Sequence, residues 1–330
     1  MTKLKKLLII MPCYNEEEIL KLTIKTMNSL MRRWIKSKKI SADSRVCFVN
    51  DGSTDKTWDI ISQTVETNKL FCGINLSRNF GQQEALLAGL YNFSSDIYVT
   101  MDVDLQDDPE CIPEMLEKIE NGCDIVYGVR QSRESDTWFK KWSALACYKF
   151  LGFLGVKMVY NCAHFRMMTD RAVKGLKQFP ERNLFLRGIV PLIGFNSDIV
   201  YYDRGPRAAG QTKYSLGKLV ALAWDGISNF SIVPLRMVTF LGFILCFMAV
   251  LFLCFVIYRW SIKGTIVGWA SLVTIITVFS GVQLVSLGII GEYLAKVFVE
   301  VKKRPLFIVQ DKIGQNEQIS LGDDKYGKKE

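Results

Sequence analysis

The chain has 330 residues, a formal net charge of +9, 49% hydrophobic residues and a single histidine, His164. One histidine rules out a multi-histidine metal centre, and scattered cysteines without a C-x-x-C pair fit reduced, buried thiols rather than a disulfide framework or a zinc site. No basic cluster is interleaved with aromatics as in a nucleic-acid reader, so the positive balance, with two long apolar runs, points to an anionic membrane surface and not to nucleic acid.

Met1 to Lys6 is polar and basic, and the apolar run Leu7–Met11 is too short for a signal-peptide core and is ended by Pro12. It is expected as a first core strand, leaving the N-terminal domain in the cytosol. Further strands are expected over Val46–Asn50, Phe71–Leu76, Ile97–Met101 and Asp124–Tyr127, and helices over Glu16–Lys36, Lys56–Glu66, Gly81–Tyr91 and Pro113–Glu120. The alternation predicts an α/β domain over residues 1–130, with a mostly parallel sheet covered by helices on both faces. Ligands of such sheets bind beyond the carboxyl ends of the strands, where the polar loops of this chain fall.

From 131 to 236 the pattern changes. Trp138, Phe139, Trp142, Tyr148 and Phe150 are interleaved with Lys140, Lys141 and Lys149, and a similar stretch runs from Lys213 through Trp224. Such segments suit helices lying in a membrane interface, aromatics inward and basic groups at headgroup level. Met237–Tyr258 then carries no charge, and in Trp269–Ile290 Gln283 is the most polar side chain. Each is long enough to cross a hydrocarbon core of about 30 Å. Arg236, Arg259, Trp260 and Trp269 sit at interface positions. Two spans over 237–290 put both ends of the chain on one side. The basic residues Lys213, Lys218, Arg236, Lys296, Lys302, Lys303 and Arg304 outnumber those of the short connection, which assigns that side to the cytoplasm of a plasma membrane. Residues 291–330 form a cytoplasmic tail, expected to be disordered after Gly314.

Chemistry concentrates in the loops. Asp102-Val103-Asp104-Leu105-Gln106-Asp107-Asp108 follows the fourth strand. Two carboxylates two residues apart can hold one divalent cation such as Mg²⁺ or Mn²⁺, which prefers oxygen ligands and usually shares them with substrate phosphates; that implies a nucleotide diphosphate. Alone, a D-x-D triplet also describes an ordinary exposed acidic loop. Asp51, in Val49-Asn50-Asp51-Gly52-Ser53-Thr54-Asp55, can accept the N3–H of a uracil, or the segment simply turns the chain with Ser53 or Asp55 capping the next helix. Pro12 to Glu16 could flank a base, and Arg78 could pair with a diphosphate or order the acidic loop.

Taken in order, MPCYNEEE, VNDGSTDKT, SRNFGQQEALLAGL and DVDLQDDPE resemble a family-2 glycosyltransferase with the GT-A fold, and the resemblance covers the chain to about residue 310. Tyr202 to Tyr214 followed by two spans is similar to the polyprenyl-phosphate branch: dolichol-phosphate mannose synthases and, more closely, bacterial bactoprenol glucosyltransferases of the GtrB type. The resemblance implies that Pro12, Tyr14, Glu16 and Asp51 cradle nucleobase and ribose. Asp102 and Asp104 would hold the metal, with Gln106 as a further ligand. Arg130, Arg133, Arg204, Arg207 and Lys213 would grip donor or lipid phosphate, as arginine forks suit phosphate oxygens. Homo-oligomers occur in the family, but nothing in these residues specifies one.

One position departs from the family pattern. In Asn161-Cys162-Ala163-His164-Phe165-Arg166, His164 stands where the family commonly has an acidic residue. A lipid phosphate, with a second pKa of about 6, is already anionic and needs little help from a base. A neutral histidine can also act as one, or merely orient its neighbours. The function implied is inverting transfer of a sugar from a nucleotide sugar, UDP-glucose first and UDP-N-acetylglucosamine or GDP-mannose as alternatives, to polyprenyl (undecaprenyl) phosphate for cell-envelope glycan modification. A processive polysaccharide synthase would show more spans and a Q-x-x-R-W signature, and a non-catalytic GT-A scaffold would bind no metal–nucleotide.

Overall fold

The computed structural model describes residues 4–130, 162–181, 185–203, 233–262 and 268–314. The chain falls into two compact units, one holding the sheet and one holding the two long apolar helices.

The first unit opens with β1 (Leu7–Cys13), α1 (Glu17–Lys36), β2 (Arg45–Asn50), α2 (Thr57–Thr67), β3 (Phe71–Leu76), α3 (Gln82–Asn92), β4 (Ile97–Thr100), α4 (Ile112–Glu120) and β5 (Ile125–Arg130). Every strand and helix expected in this stretch is present, with ends shifted by a few residues at most. β1 and β3 are buried along their whole length and β2 along nearly all of it, as apolar strands of a two-faced sheet should be. α1 buries Ile19, Leu20, Thr23, Met27, Leu30, Met31 and Trp34, the three- and four-residue spacing of one helical face. In α3, a Cβ on Gly89 would lie 2.4 Å from Ile10 Cγ2, so glycine lets this helix approach β1 closely.

Three strands beyond residue 130 complete the sheet: β6 (Cys162–Thr169), β7 (Ser197–Tyr202) and β8 (Val309–Ile313), with α5 (Asp170–Leu176) and α6 (Leu186–Leu192) between β6 and β7. None of the three was expected as a strand. The order is β7-β5-β6-β4-β1-β2-β3-β8. β6 runs antiparallel between β4 and β5, and β8 is antiparallel to β3; all other pairs are parallel. The other strands therefore point one way and bring their carboxyl ends to one edge.

The second unit contains α7 (Val233–Ser261) and α8 (Trp269–Lys302). Both are long and apolar enough to cross a membrane. α8 runs past the expected end at Ile290, because Glu292 to Lys302 stays helical after the uncharged run stops. A cleft of about 560 Å³ between them is lined by Val238, Gly242, Leu245, Phe279, Gln283 and Ser286, among others. The expected interfacial stretches around Trp138 to Leu154 and Lys213 to Trp224, and the tail after Gly314, lie outside the described residues.

Candidate active site

The loops at the carboxyl ends of β1 and β2 are laced together by side chains. Asn15 N donates to Ser53 Oγ at 2.9 Å, Asn15 Oδ1 accepts from Thr54 N at 2.8 Å, and Glu16 N donates to Thr57 Oγ1 at 3.0 Å. Asn15 holds a left-handed φ of 53°, which asparagine tolerates better than most residues. Tyr14 is exposed on this rim, whereas Pro12 is buried inside β1. At the entrance to α2 it is Asp55, through Oδ1 and Thr57 N at 3.0 Å, that supplies the side-chain bond, not Ser53.

Asp51 performs a third role beyond the two open in the sequence. Its carboxylate is buried and accepts from Phe80 N at 2.8 Å and Gly81 N at 3.0 Å, which joins the β2 turn to the start of α3. Burial pushes its pKa up, against the pull of those two N–H groups and Arg78. Gly52 makes this possible: its φ is +64°, and a Cβ there would lie 2.3 Å from the Arg78 carbonyl carbon. Arg78 is exposed, stacked over the Phe80 ring at 4.0 Å, and donates to Asn79 O at 2.9 Å. Among the described residues no ion pair joins it to the acidic run.

That run is held from several sides. Thr23 of α1 donates to Val103 O at 2.7 Å. Asp104 Oδ1 accepts from Gln106 N at 3.1 Å across Leu105, a non-glycine residue at φ 53°. Gln82 Nε2, from the first turn of α3, donates to Asp102 Oδ1 at 2.7 Å. The next residue, Gln83, accepts from Leu186 N at 2.8 Å and so positions α6. Asp107 Oδ1 receives the Tyr202 hydroxyl and, at 3.4 Å, Arg130 Nη2, while Arg130 Nε reaches the Tyr202 oxygen at 3.2 Å. Asp107 Oδ2 is buried without a hydrogen-bond partner among the described residues.

Asp102 has its pKa pushed to about 7, first by burial and then by the charges of Asp107 and Asp104, with Arg130 and Arg187 opposing. Concentrated negative charge of this kind is relieved by a cation. Among the described residues no group of three or more His, Cys, Asp or Glu is placed to enclose a metal ion; the carboxylates of Asp102 and Asp104 are oxygen donors of the type hard cations take.

His164 lies on β6, its carbonyl accepting from Thr100 Oγ1 at 2.6 Å. Its side chain is buried, with Nδ1 unpartnered among the described residues. Burial first, then the charges of Arg187, Arg166 and Arg130, push its pKa well below the ordinary histidine value. Burial among these arginines favours the neutral ring and lowers its basicity. Arg166 is buried and donates to Leu186 O at 3.1 Å. Of the residues expected to meet donor or lipid phosphate, Arg78 and Arg130 are described; Arg133, Arg204, Arg207 and Lys213 lie outside the described residues. Sequence reading missed Gln82, Gln83, Asp107, Tyr202, Arg166 and Arg187. Gln82, Gln83, Asp107, Arg166 and Tyr202 stood in quoted motifs without being given a role, whereas Arg187 carried no signal.

The family model described as glycosyl transferase family 2 matches residues 8–176. The chain is 44% identical to the glycosyltransferase YkoT of Bacillus subtilis, over 95% of this chain and 94% of that protein. It is 36% identical to the prophage bactoprenol glucosyl transferase homolog of Escherichia coli K12, over 92% of this chain and 98% of that one. Among solved structures it is similar to glucosyl-3-phosphoglycerate synthase from Mycobacterium tuberculosis, in complex with Mn²⁺, UDP and phosphoglyceric acid, at a TM-score of 0.46 and 15% identity, over 68% of this chain and 76% of that chain. The chain belongs to glycosyl transferase family 2 and is a glycosyltransferase.

Proposed function

We propose that the protein is an inverting membrane glycosyltransferase that moves a sugar from a nucleotide sugar, with UDP-glucose the best single donor, to undecaprenyl or another polyprenyl phosphate for modification of a cell-envelope glycan. The observation that carries the reading is the acidic run at the carboxyl end of β4, where burial and like charge raise Asp102 to about 7, in a chain that also has two helices apolar enough to cross a membrane. The name of the Escherichia coli relative, a bactoprenol glucosyl transferase homolog, supports the lipid acceptor. The two helices would anchor the protein in the plasma membrane, with both termini and the catalytic domain in the cytoplasm.

Asp102 and Asp104, with Gln106, would hold Mg²⁺ or Mn²⁺ together with the donor diphosphate. When bound, the cation supplies positive charge that offsets the charge developing on the leaving group. Tyr14 and Glu16 would flank base and ribose, with Asp51 and Pro12 shaping the floor beneath them. Arg130, Arg133, Arg204, Arg207 and Lys213 would grip donor or acceptor phosphate, and exposed Arg78 can reach for a diphosphate. A phosphate oxygen of the lipid forms a bond to the anomeric carbon from the face opposite the nucleotide. The bond from that carbon to the diphosphate oxygen breaks, its electron pair leaves with the nucleoside diphosphate, and the carbon inverts. The attacking oxygen is already anionic at neutral pH, so no proton need be removed. Catalysis is then mainly positioning and charge stabilisation, and His164 serves as a neutral side chain among arginines.

The test is incubation of membranes containing the protein with radiolabelled nucleotide sugars and polyprenyl phosphate. A lipid-linked sugar formed by wild type and lost in Asp104→Ala is expected. Absence of product with every donor, or full activity in Asp104→Ala, overturns the reading.

A further inference from the structure

Three residues from distant parts of the chain line up across one edge of the sheet. Asn50 at the end of β2 is in register with Asn75 of β3, and Asn75 with Asp311 of β8. Their side chains touch in series. Asn75 Nδ2 donates to Asp311 Oδ2 at 3.1 Å, and Asn50 Nδ2 donates to Asn75 Oδ1 at 2.7 Å. Asn50 Oδ1 then accepts from Ser53 N at 3.4 Å, and Ser53 Oγ accepts from Asn15 N at 2.9 Å. Asn50 and Asn75 are buried, whereas Asp311 is at the exposed rim.

An asparagine amide can face either way, and its orientation follows from its partners. Here both ends settle it, since the Ser53 N–H only donates and the Asp311 side chain accepts. A carboxylate only accepts, so Asn75 must turn its NH₂ to Asp311 and its oxygen to Asn50. Asn50 must then give its NH₂ to Asn75, which leaves its oxygen toward the Ser53 N–H. The opposite setting would point an NH₂ at that N–H and leave buried donors unmatched, which is costly.

We propose that Asp311 is a positioning residue for the nucleotide site: by accepting from Asn75 it holds the Asn75 and Asn50 amides in the setting the Ser53 N–H requires, and so keeps the Asp51-Gly52-Ser53 turn, and through Ser53 the Tyr14-Asn15 loop, in the conformation that receives the donor nucleotide. The proposal rests on the functional reading above and extends it to a strand that follows both apolar helices in the chain.

The experiment uses the full chain in detergent, with UDP and Mn²⁺ as the titrant in calorimetry, and donor KM and kcat where turnover is measurable. Asp311→Ala is expected to weaken UDP binding and to raise donor KM by about threefold to tenfold, the scale of one mismatched buried hydrogen bond, with little change in kcat or in melting temperature. Asp311→Asn can still present an oxygen to Asn75 and should restore binding to within about twofold. Gln310→Ala, an exposed neighbour on the same strand, should match wild type. UDP binding by Asp311→Ala equal to wild type overturns the relay alone, as does equal loss in the alanine and asparagine variants. No binding of UDP by wild type overturns both the relay and the functional reading.

Discussion

The side-chain amide of Gln82 lies 2.7 Å from Asp102 Oδ1 and donates to it. The first turn of α3, which also meets the β2 turn through Asp51 and the Phe80-Gly81 amides, thereby orients the carboxylate proposed to hold the cation. Gln82→Ala should remove a donor to the charged form of Asp102 and weaken Mn²⁺–UDP binding by roughly fivefold to twentyfold, as expected for a hydrogen bond to a charged group. Calorimetry on the purified variant decides it; unchanged affinity would show that the contact does not orient the carboxylate.

Cation binding should be linked to pH through Asp102. Its folded-state pKa is raised from 3.8 to about 7, so the folded, cation-free protein binds a proton there that the unfolded chain has already released. This contribution to stability is fully present below the ordinary carboxylate range and is lost as pH rises toward 7. A cation needs the ionised form, so its affinity should rise with pH up to about 7 and then level off, with close to one proton released per ion below that point. Titrations in buffers of different ionisation enthalpy measure the proton directly, and a pH-independent affinity would refute the linkage.

Tyr202 ties Asp107 to Arg130, and burial followed by the Asp107 charge pushes its own pKa up. Tyr202→Phe leaves buried Asp107, among the described residues, with the longer Arg130 contact alone, and should lower stability by about 1–3 kcal/mol. Thermal unfolding of the two proteins side by side tests this; an unshifted melting temperature would place the hydroxyl outside the network.

Gly52→Ala combines a left-handed φ with a Cβ placed 2.3 Å from backbone that cannot swing away. The β2 turn and the Arg78 segment must then separate, at a cost of about 2 kcal/mol or more. Reduced melting temperature together with weakened UDP binding is expected. A variant that folds and binds as wild type would mean that the turn yields more easily than its contacts imply.

His164 should leave no trace on the pH dependence of turnover. Its pKa is depressed by burial and by three arginines, and the proposed lipid-phosphate acceptor, already anionic, needs no base. The profile of kcat for lipid transfer should lack an acidic limb at the ordinary histidine value of about 6.5. A limb that is present in wild type and abolished in His164→Gln would restore it as a base.

The strands and helices up to residue 130 were legible because each carries its own period: buried apolar runs for β1 to β3, three- and four-residue spacing for α1. β6, β7 and β8 lack that signature. β6 buries a histidine and an arginine, β7 is half exposed at the opposite edge, and β8 reads Val-Gln-Asp-Lys-Ile. Their strand character comes from tertiary pairing and not from local pattern. The same division holds at the site. The loops could be found because they follow strands, and the acidic run because its residues are adjacent. Tyr202 reaches Asp107, and Leu186 reaches Gln83, across long stretches of chain that no local spacing encodes. Asp51 was found for the right turn, yet its contact with Phe80 and Gly81 needed the folded structure.

β8 lies on the outer edge of β3 and follows α8 in the chain. Ribosomal synthesis therefore delivers the strand that seals this edge only after both apolar helices have been made. Until then β3 presents a row of unpaired amides and carbonyls, the kind of edge on which other chains can aggregate. The nascent domain reaches its finished sheet late, when the hydrophobic helices have already left the ribosome, so completion of the catalytic domain is ordered in time behind production of the two apolar helices.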